Sequence, residues 1–226
     1  MNILPNIKII DLALWLEKEQ ALIISDLHLG YEEMLEKRGI LTPKVQLKDI
    51  IERLNNILKN IKPKTIIING DLKHEFGNIL NQEWRDTLRL FNFLEKHCEE
   101  IIIVKGNHDL FLGPLAKRNN IQLLKHIEMN DILIAHGDEL IDKGKTIIIG
   151  HDHPAITLTD NNKKEKFKCF LKGKWNKKNL IVMPSFHTLT TGMDSKLGSF
   201  LTPYIKDTKN FDVYIKELHF GKVKNL

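Results

Sequence analysis

The chain has 226 residues, of which 42% are hydrophobic and 28% charged, and its formal net charge is +5 at pH 7. These values are typical of a globular protein and exclude a mostly disordered or collagen-like chain. We expect one domain over residues 1–226. Two cysteines, Cys98 and Cys169, cannot form a disulfide framework, which favours a reducing, cytoplasmic compartment. The sequence predicts neither a signal peptide nor a membrane-spanning helix.

Short aliphatic runs, each followed by a polar loop, recur along the first two thirds of the chain. They cover residues 21–25, 65–69, 101–105, 132–135 and 146–149. Continuous β-branched runs predict strands that are buried on both faces. Between the first three runs, residues 43–60 and 79–97 have apolar side chains near a period of 3.6, which predicts two helices, the first with Pro43 in its first turn. Alternating strands and helices indicate a parallel βαβ sheet.

The last third of the chain favours shorter strands separated by turn-rich segments. We predict them at residues 155–159, 167–171, 180–183 and 211–217, in a second, more antiparallel sheet. Residues 163–178 are rich in lysine. We interpret them as a solvated hairpin, with binding of a nucleic-acid backbone as the alternative. The side chains concerned are Lys163, Lys164, Lys166, Lys168, Lys172, Lys174, Lys177, Lys178 and Trp175.

Seven polar side chains lie just after predicted strands. They are Asp26, His28, Asp71, Asn107, His136, His151 and His153. Because ligand sites lie outside the carboxyl ends of parallel strands, we expect these side chains to converge. Taken singly, each motif also fits a turn or a helix cap. Together, carboxylate, imidazole and amide donors suit divalent Mn, Fe or Zn, and seven donors suit two ions with one bridging carboxylate.

The order D-x-H, G-D, G-N-H-D, H-G and G-H-x-H, between residues 26 and 153, resembles the calcineurin-like metallophosphoesterases. Within that superfamily the chain is most similar to compact archaeal and bacterial phosphoesterases related to the Mre11 and SbcD nucleases. The resemblance implies a two-sheet α/β/β/α sandwich with mixed parallel and antiparallel strands. It also implies two divalent metal ions, with Mn²⁺ favoured and Fe²⁺, Ni²⁺ and Zn²⁺ as alternatives.

The resemblance also implies a role for each matched residue. Asp26, His28 and His153 would bind the first ion, and Asn107, His136 and His151 the second. Asp71 would bridge the two ions. His108 would act as the general acid that protonates the leaving oxygen, a task that suits a histidine whose pKa is near neutrality.

Five further residues are candidates for supporting roles. Asp109 would orient its loop or a ligand, and Asp138 stands where the family often has a second histidine. Lys73, His74 and His187 would reach the substrate, with a purely structural role as the alternative for each.

The expected function is a phosphodiesterase that hydrolyses nucleotide or nucleic-acid phosphodiesters with a hydroxide activated by the two ions. One alternative is a phosphomonoesterase or protein phosphatase. Another is a non-catalytic scaffold of the same fold that binds proteins. The oligomeric state and the identity of the phosphoester partner stay open.

Overall fold

A computed structural model describes residues 1–77, 80–161 and 163–226. The first half of these residues forms β1 (Asn2–Leu4), β2 (Ile7–Ile10), β3 (Ala13–Leu16), β4 (Ala21–Ile24), α1 (Tyr31–Lys37), α2 (Gln46–Leu58), β5 (Thr65–Asn69), α3 (Asn81–Leu94), β6 (Glu100–Val104) and α4 (Gly113–Arg118). The second half forms β7 (Gln122–Leu124), β8 (His126–Met129), β9 (Ile132–Ala135), β10 (Thr146–Ile149), β11 (Pro154–Asp160), β12 (Lys163–Lys168), β13 (Phe170–Trp175), β14 (Lys178–Val182), β15 (Met193–Asp194), β16 (Asp212–Ile215) and β17 (Leu218–Lys222). A 3₁₀ turn, Val223–Asn225, ends the chain.

Within the described residues, these strands form two seven-stranded sheets and one small sheet. The first sheet has the order β1-β2-β3-β4-β5-β6-β7, and β4 to β7 are parallel. The second has the order β17-β16-β13-β14-β10-β9-β8, and only β14, β10 and β9 are parallel. The small sheet has the order β12-β11-β15. The predicted mixed two-sheet sandwich is therefore confirmed.

Apolar side chains from both large sheets interdigitate between them. This central layer includes Ile67 and Val104 from the first sheet, and Ile148, Phe170 and Ile181 from the second. Because the parallel strands bear apolar side chains on both faces, the first sheet also packs outward against α2, α3 and α4. The five aliphatic runs predicted as strands are thus confirmed, each within one residue.

The outer face of the second sheet differs from the predicted helical layer. It is covered by irregular chain around Tyr204, Ile205 and Phe211, and by Ile156 of the small sheet. The predicted strand at 167–171 is divided at Cys169, where the chain passes from β12 of the small sheet to β13 of the large one. Strands β1 to β3 were not predicted, because segments of four residues or fewer give little periodicity.

Helix α2 begins at Gln46, so Pro43 precedes the helix rather than lying in its first turn. A residue from another helix sets this boundary, since Glu32 accepts hydrogen bonds from the backbone N–H groups of Val45 at 2.6 Å and Gln46 at 2.8 Å. Ile79, where the second predicted helix begins, lies outside the described residues. Each described helix is too short or too polar to cross a bilayer.

Candidate metal centre

The loops that follow β4, β5, β9 and β10 are joined by backbone hydrogen bonds. The N–H of Asp26 donates to the carbonyl of Gly70 at 3.1 Å, and the N–H of Gly150 donates to the carbonyl of His136 at 2.9 Å. The N–H of His151 donates to the carboxylate of Asp26 at 3.2 Å, which connects the two large sheets. The predicted site residues therefore meet at one edge of the sandwich, and they come from two sheets rather than from one.

A first group of potential ligands consists of Asp26, His28 and His153, whose donor atoms all lie within 4.8 Å of one another. The Nε2 atoms of His28 and His153 are 3.1 Å apart. Nε2 of His153 lies 3.5 Å from Oδ1 of Asp26. These are the three residues expected at the first ion.

A second group consists of Asp71, His136 and His151, again within 4.8 Å of one another. Nδ1 of His151 lies 3.1 Å from Nε2 of His136. Oδ1 of Asn107 lies 3.0 Å from the same His136 nitrogen. The residues expected at the second ion are thus also brought together.

The carboxylate of Asp71 lies between the two groups. Its Oδ2 is 3.7 Å from Nε2 of His28 in the first group and 3.5 Å from Nε2 of His136 in the second. Its Oδ1 accepts a hydrogen bond from the N–H of His108 at 3.0 Å, which orients the group. This placement fits a carboxylate shared by two ions.

The electrostatics of the site also fit divalent ions. Burial and the negative charge of Asp26 raise the pKa of Asp71 to about 9. Burial lowers the pKa values of His28 and His136, so both imidazoles are neutral. Burial acts to raise the pKa of Asp26, but the surrounding histidines hold it below its usual range. Neutral imidazoles offer the lone pairs that borderline divalent metals require, and the positive charge of a bound ion would favour the ionised form of Asp71 and so oppose the rise in its pKa.

Five of the seven candidate ligands have backbone φ angles in the left-handed region. The angles are 54° for Asp26, 46° for His28, 45° for Asp71, 70° for His151 and 46° for His153. Positive φ is uncommon outside glycine and costs energy that the surrounding fold must supply. The shared conformation turns the chain sharply at the end of each strand and directs the side chains toward one point.

Three glycines allow close approach of these loops. A Cβ atom at Gly70, whose φ is +81°, would lie 2.0 Å from Nδ1 of His136. At Gly106 it would lie 2.2 Å from Oδ1 of Asp71, and at Gly150 2.4 Å from Oδ2 of Asp26. The G-D, G-N-H-D and G-H-x-H motifs therefore require glycine for steric reasons as well as for turn formation.

The imidazole of His108 lies beside the two groups and lines the same pocket. Its Nδ1 donates to the backbone carbonyl of His74, and its Nε2 lies 3.8 Å from Oδ2 of Asp71. Phe76 packs on the ring with centroids 3.6 Å apart. Burial lowers the pKa of His108 to about 4, which differs from the near-neutral value expected for a general acid.

Asp109 joins two of the site loops. Its buried carboxylate accepts backbone hydrogen bonds from Gly106 at 3.0 Å and from Leu72 at 3.1 Å. Burial raises the pKa of Asp109 to about 6. Asp109 thus connects the loop that follows β6 to the loop that follows β5, and its orienting role stays a prediction.

The remaining supporting candidates fall in different places. His74 and His187 line the pocket, whereas the buried ammonium group of Lys73 donates to the carbonyls of Glu75 and Gly77. The expectation that Lys73 reaches a substrate does not match this placement, because its ammonium group donates to carbonyls of its own loop. Asp138 is exposed in a neighbouring groove rather than in the pocket.

The pocket has a volume of about 610 Å³ and includes residues that the sequence analysis missed. Tyr31 and Phe76 contribute aromatic rings. Tyr31 lies three positions after the D-x-H motif and Phe76 five positions after the G-D motif, so this proximity in sequence could have indicated both as pocket residues. Thr190 to Met193 and Leu201 also line it, with no motif to indicate them.

The lysine-rich segment belongs to two hairpins rather than to one. Strand β12 pairs with β11, and β13 pairs with β14. Lys163, Lys164 and Lys166 are exposed on β12, whereas the ammonium group of Lys168 is directed inward toward Ser185.

The chain is similar to one family model and to several solved structures. Residues 20–215 match the family model described as calcineurin-like phosphoesterase. The nuclease MPE of Pseudomonas putida has a similar structure, with a TM-score of 0.66, 18% identity, and coverage of 92% of this chain and 90% of that one. A Vps29 mutant from Entamoeba histolytica matches with a TM-score of 0.36 and 17% identity, covering 87% of this chain and 86% of that one. No curated protein sequence matches the chain.

Proposed function

The chain belongs to the calcineurin-like phosphoesterase family, and from this premise we propose that it is a phosphodiesterase that uses two divalent ions. Nucleotides or nucleic acids are the proposed substrate class, and Mn²⁺ is the proposed ion. One observation carries the proposal. Of three groups of described side chains that could hold a metal ion, two contain a carboxylate, and Oδ2 of Asp71 lies within 3.7 Å of a histidine in each of these two.

The proposed roles divide the site into two halves. Asp26, His28 and His153 would hold one ion. Asn107, His136 and His151 would hold the other, and Asp71 would contact both. When bound, such a pair supplies Lewis-acid polarisation of a phosphoryl oxygen and lowers the pKa of water to near neutrality.

His108 is the proposed proton donor to the leaving oxygen. Its Nδ1–H is held by the carbonyl of His74, so that Nε2 is the atom that carries the transferred proton. The negative charge of a bound phosphoester favours the protonated imidazole and opposes the effect of burial. Phe76, packed on the ring, restricts its rotation.

The lining of the pocket supports a substrate that carries a nucleobase. The aromatic rings of Tyr31 and Phe76 lie at the pocket together with the apolar side chains of Met193 and Leu201. Such surfaces can contact a nucleobase by stacking, which tolerates all bases.

A side-by-side assay tests the proposal. Protein loaded with Mn²⁺ should hydrolyse bis(p-nitrophenyl) phosphate faster than p-nitrophenyl phosphate, lose activity with EDTA, and regain it when Mn²⁺ is restored. Asp71→Asn should abolish turnover, and Asp138→Asn, at an exposed carboxylate outside the pocket, should not. Faster turnover of the monoester, or a rate that is insensitive to EDTA, would overturn the proposal.

A further inference from the structure

The segment from Ser185 to His187 lies alongside the loop that follows β4. The N–H of Phe186 donates to the carbonyl of Ser25 at 2.7 Å, and the N–H of His187 donates to the carbonyl of Asp26 at 3.2 Å. This pairing brings the imidazole of His187 to the pocket wall, where only 2% of the residue is exposed. The position of His187 is thus fixed by the same loop that carries two candidate ligands.

A half-buried lysine holds this segment from the other side. The ammonium group of Lys168 donates to the carbonyl of Ser185 at 2.9 Å, to its hydroxyl at 2.6 Å, and to the carbonyl of His187. In its charged form the side chain has three protons for these three oxygen acceptors. The backbone at His187 is therefore anchored by hydrogen bonds on both sides.

Gln46 fixes the tautomer of the His187 ring. The amide nitrogen of Gln46 lies 3.0 Å from the carbonyl of Leu27 and 2.9 Å from the carbonyl of His28, and both oxygens can only accept. The same nitrogen lies 2.8 Å from Nδ1 of His187. The amide nitrogen has two protons, which these three acceptors share, and it has no lone pair with which to accept. Nδ1 of His187 must therefore be the unprotonated nitrogen, and the ring proton must be on Nε2.

Nε2 of His187 is buried and has no hydrogen-bond partner within residues 1–77, 80–161 and 163–226. An unpaired buried donor costs about 1–3 kcal/mol, so its retention at a pocket wall points to a ligand. The groups of described residues that could hold a metal do not include His187. A nitrogen that carries a proton also lacks the lone pair that a metal needs, and it suits an anion instead.

We propose that His187 is a substrate-binding residue whose Nε2–H donates to a non-bridging phosphate oxygen, and that Gln46 is the positioning residue that fixes this tautomer. The inference rests on the proposed function for the identity of the anion as a phosphoester. It adds to the candidate metal centre a neutral hydrogen-bond donor that does not depend on the ions.

The tautomer can be measured without any activity. Protein labelled with ¹⁵N-histidine should give, in a two-bond ¹H–¹⁵N spectrum at pH 7, the Nε2–H pattern for His187, assigned by its loss in His187→Gln. In Gln46→Met the His187 signals should shift toward a mixture of tautomers. A wild-type Nδ1–H pattern would overturn the proposal.

Binding of inorganic phosphate to the Mn²⁺-loaded protein, measured by calorimetry, tests the ligand. His187→Ala should weaken the phosphate affinity about 10-fold to 100-fold, the range expected for a hydrogen bond to a charged group. His187→Gln keeps an N–H donor at a similar distance and should restore part of the affinity. His97→Ala is the matched control and should have no effect, because the ring of His97 donates a hydrogen bond to the carbonyl of Phe93 in α3, away from the pocket.

A double-mutant cycle separates the positioning role of Gln46 from a structural one. Gln46→Met should weaken phosphate binding in the wild-type background but not in the His187→Gln background, because glutamine has no tautomer to fix. Equal losses in both backgrounds would overturn the role of Gln46. Unchanged phosphate affinity in His187→Ala, or loss of Mn²⁺ affinity in that variant, would overturn the role of His187.

These results are independent of turnover. If phosphate binding falls as expected while no phosphodiester is hydrolysed, the proposed function fails and the anion site stands. If diesters are hydrolysed while His187→Ala binds phosphate normally, the proposed function stands and this inference fails.

Discussion

The Nε2 atoms of His28 and His153 lie 3.1 Å apart, although 125 positions separate the two residues in sequence. A single proton can be shared between two such nitrogens, and a second would place two positive charges in contact. The arrangement is therefore most favourable when both imidazoles are neutral and the lone pairs of both Nε2 atoms are directed at a cation. This relationship leads directly to a prediction about stability.

Added Mn²⁺ should stabilise the protein against thermal unfolding. A ligand that binds only the folded state at 100 times its Kd adds about 2.7 kcal/mol to the free energy of unfolding. His153→Ala should lose much of this gain, since it removes one donor from the first group. Differential scanning fluorimetry with increasing Mn²⁺ measures the effect.

His126→Ala is the control for this prediction, because His126 pairs with Glu128 on β8, outside the pocket. It should show the wild-type Mn²⁺ response. An identical Mn²⁺ response in His153→Ala would contradict the assignment of His153 as a ligand.

Gly70→Ala should both destabilise the fold and impair metal binding. Its φ of +81° disfavours an L side chain, and the added Cβ would lie 2.0 Å from Nδ1 of His136. The imidazole must then move, which costs several kcal/mol in total and displaces a candidate ligand. Urea denaturation gives the free energy of unfolding, and Mn²⁺ titration gives the affinity.

The chain offers a matched control at Gly39, which has the same φ of +81° but open space around the position of a Cβ. Gly39→Ala should therefore cost only the backbone term, about 1–2 kcal/mol, and leave the Mn²⁺ affinity unchanged. Equal losses in the two variants would mean that the contact with His136 is unimportant.

The sequence predicts the positions of the motif-bearing loops well, because the strand before each loop is a short, continuous and strongly apolar stretch of the chain. The five aliphatic runs, of which two contain Ile67 and Ile148, have side chains that are buried on both faces of their sheets. The polar residue that follows each run must then lie at the sheet edge. The order of the motifs then suffices to recover the family. Assignment of individual ligands remains a prediction that metal titration of the variants will test.

The sequence does not predict contacts that depend on distant partners. Nothing in the sequence distinguishes the roles of Lys73 and Lys168. The ammonium group of Lys73 donates to a carbonyl of its own loop, whereas that of Lys168 donates to the segment that carries His187. The link between Gln46 and His187 spans 141 positions and has no motif. Positive φ angles at five candidate ligands are equally hidden, since Asp and His tolerate this conformation without requiring it.

His108→Ala should lower kcat for phosphodiester hydrolysis by about 10²-fold to 10⁴-fold, the usual contribution of a positioned general acid. The effect on KM should be small, because the ring is expected to act on the departing oxygen. Steady-state kinetics with bis(p-nitrophenyl) phosphate and Mn²⁺ measure both constants. His219→Ala, at a histidine beside Asp212 on the opposite part of the second sheet, should retain wild-type kinetics. A His108→Ala variant with unchanged kcat would show that another group protonates the leaving oxygen.

Lys168 should make the stability of the protein depend on pH. Burial lowers its pKa from 10.5 to about 7, so in the folded protein the ammonium group loses its proton near neutrality. The unfolded chain keeps that proton up to about pH 10.5 and binds more protons in this window, so stability rises with pH between about 7 and 10.5. The contribution is at most about 1.4 kcal/mol per pH unit.

Lys168→Met removes this titration and should therefore flatten the rise. The free energy of unfolding of the wild type should rise relative to that of Lys168→Met from pH 7 to pH 9. Urea denaturation at each pH measures both values. Lys166→Met alters an exposed lysine on the same strand and the same face of β12, and its curve should run parallel to that of the wild type. If the Lys168→Met curve also runs parallel to the wild type, the ammonium group is not desolvated in solution, and the anchoring of the His187 segment would have to come from its backbone pairing with Ser25 and Asp26 alone.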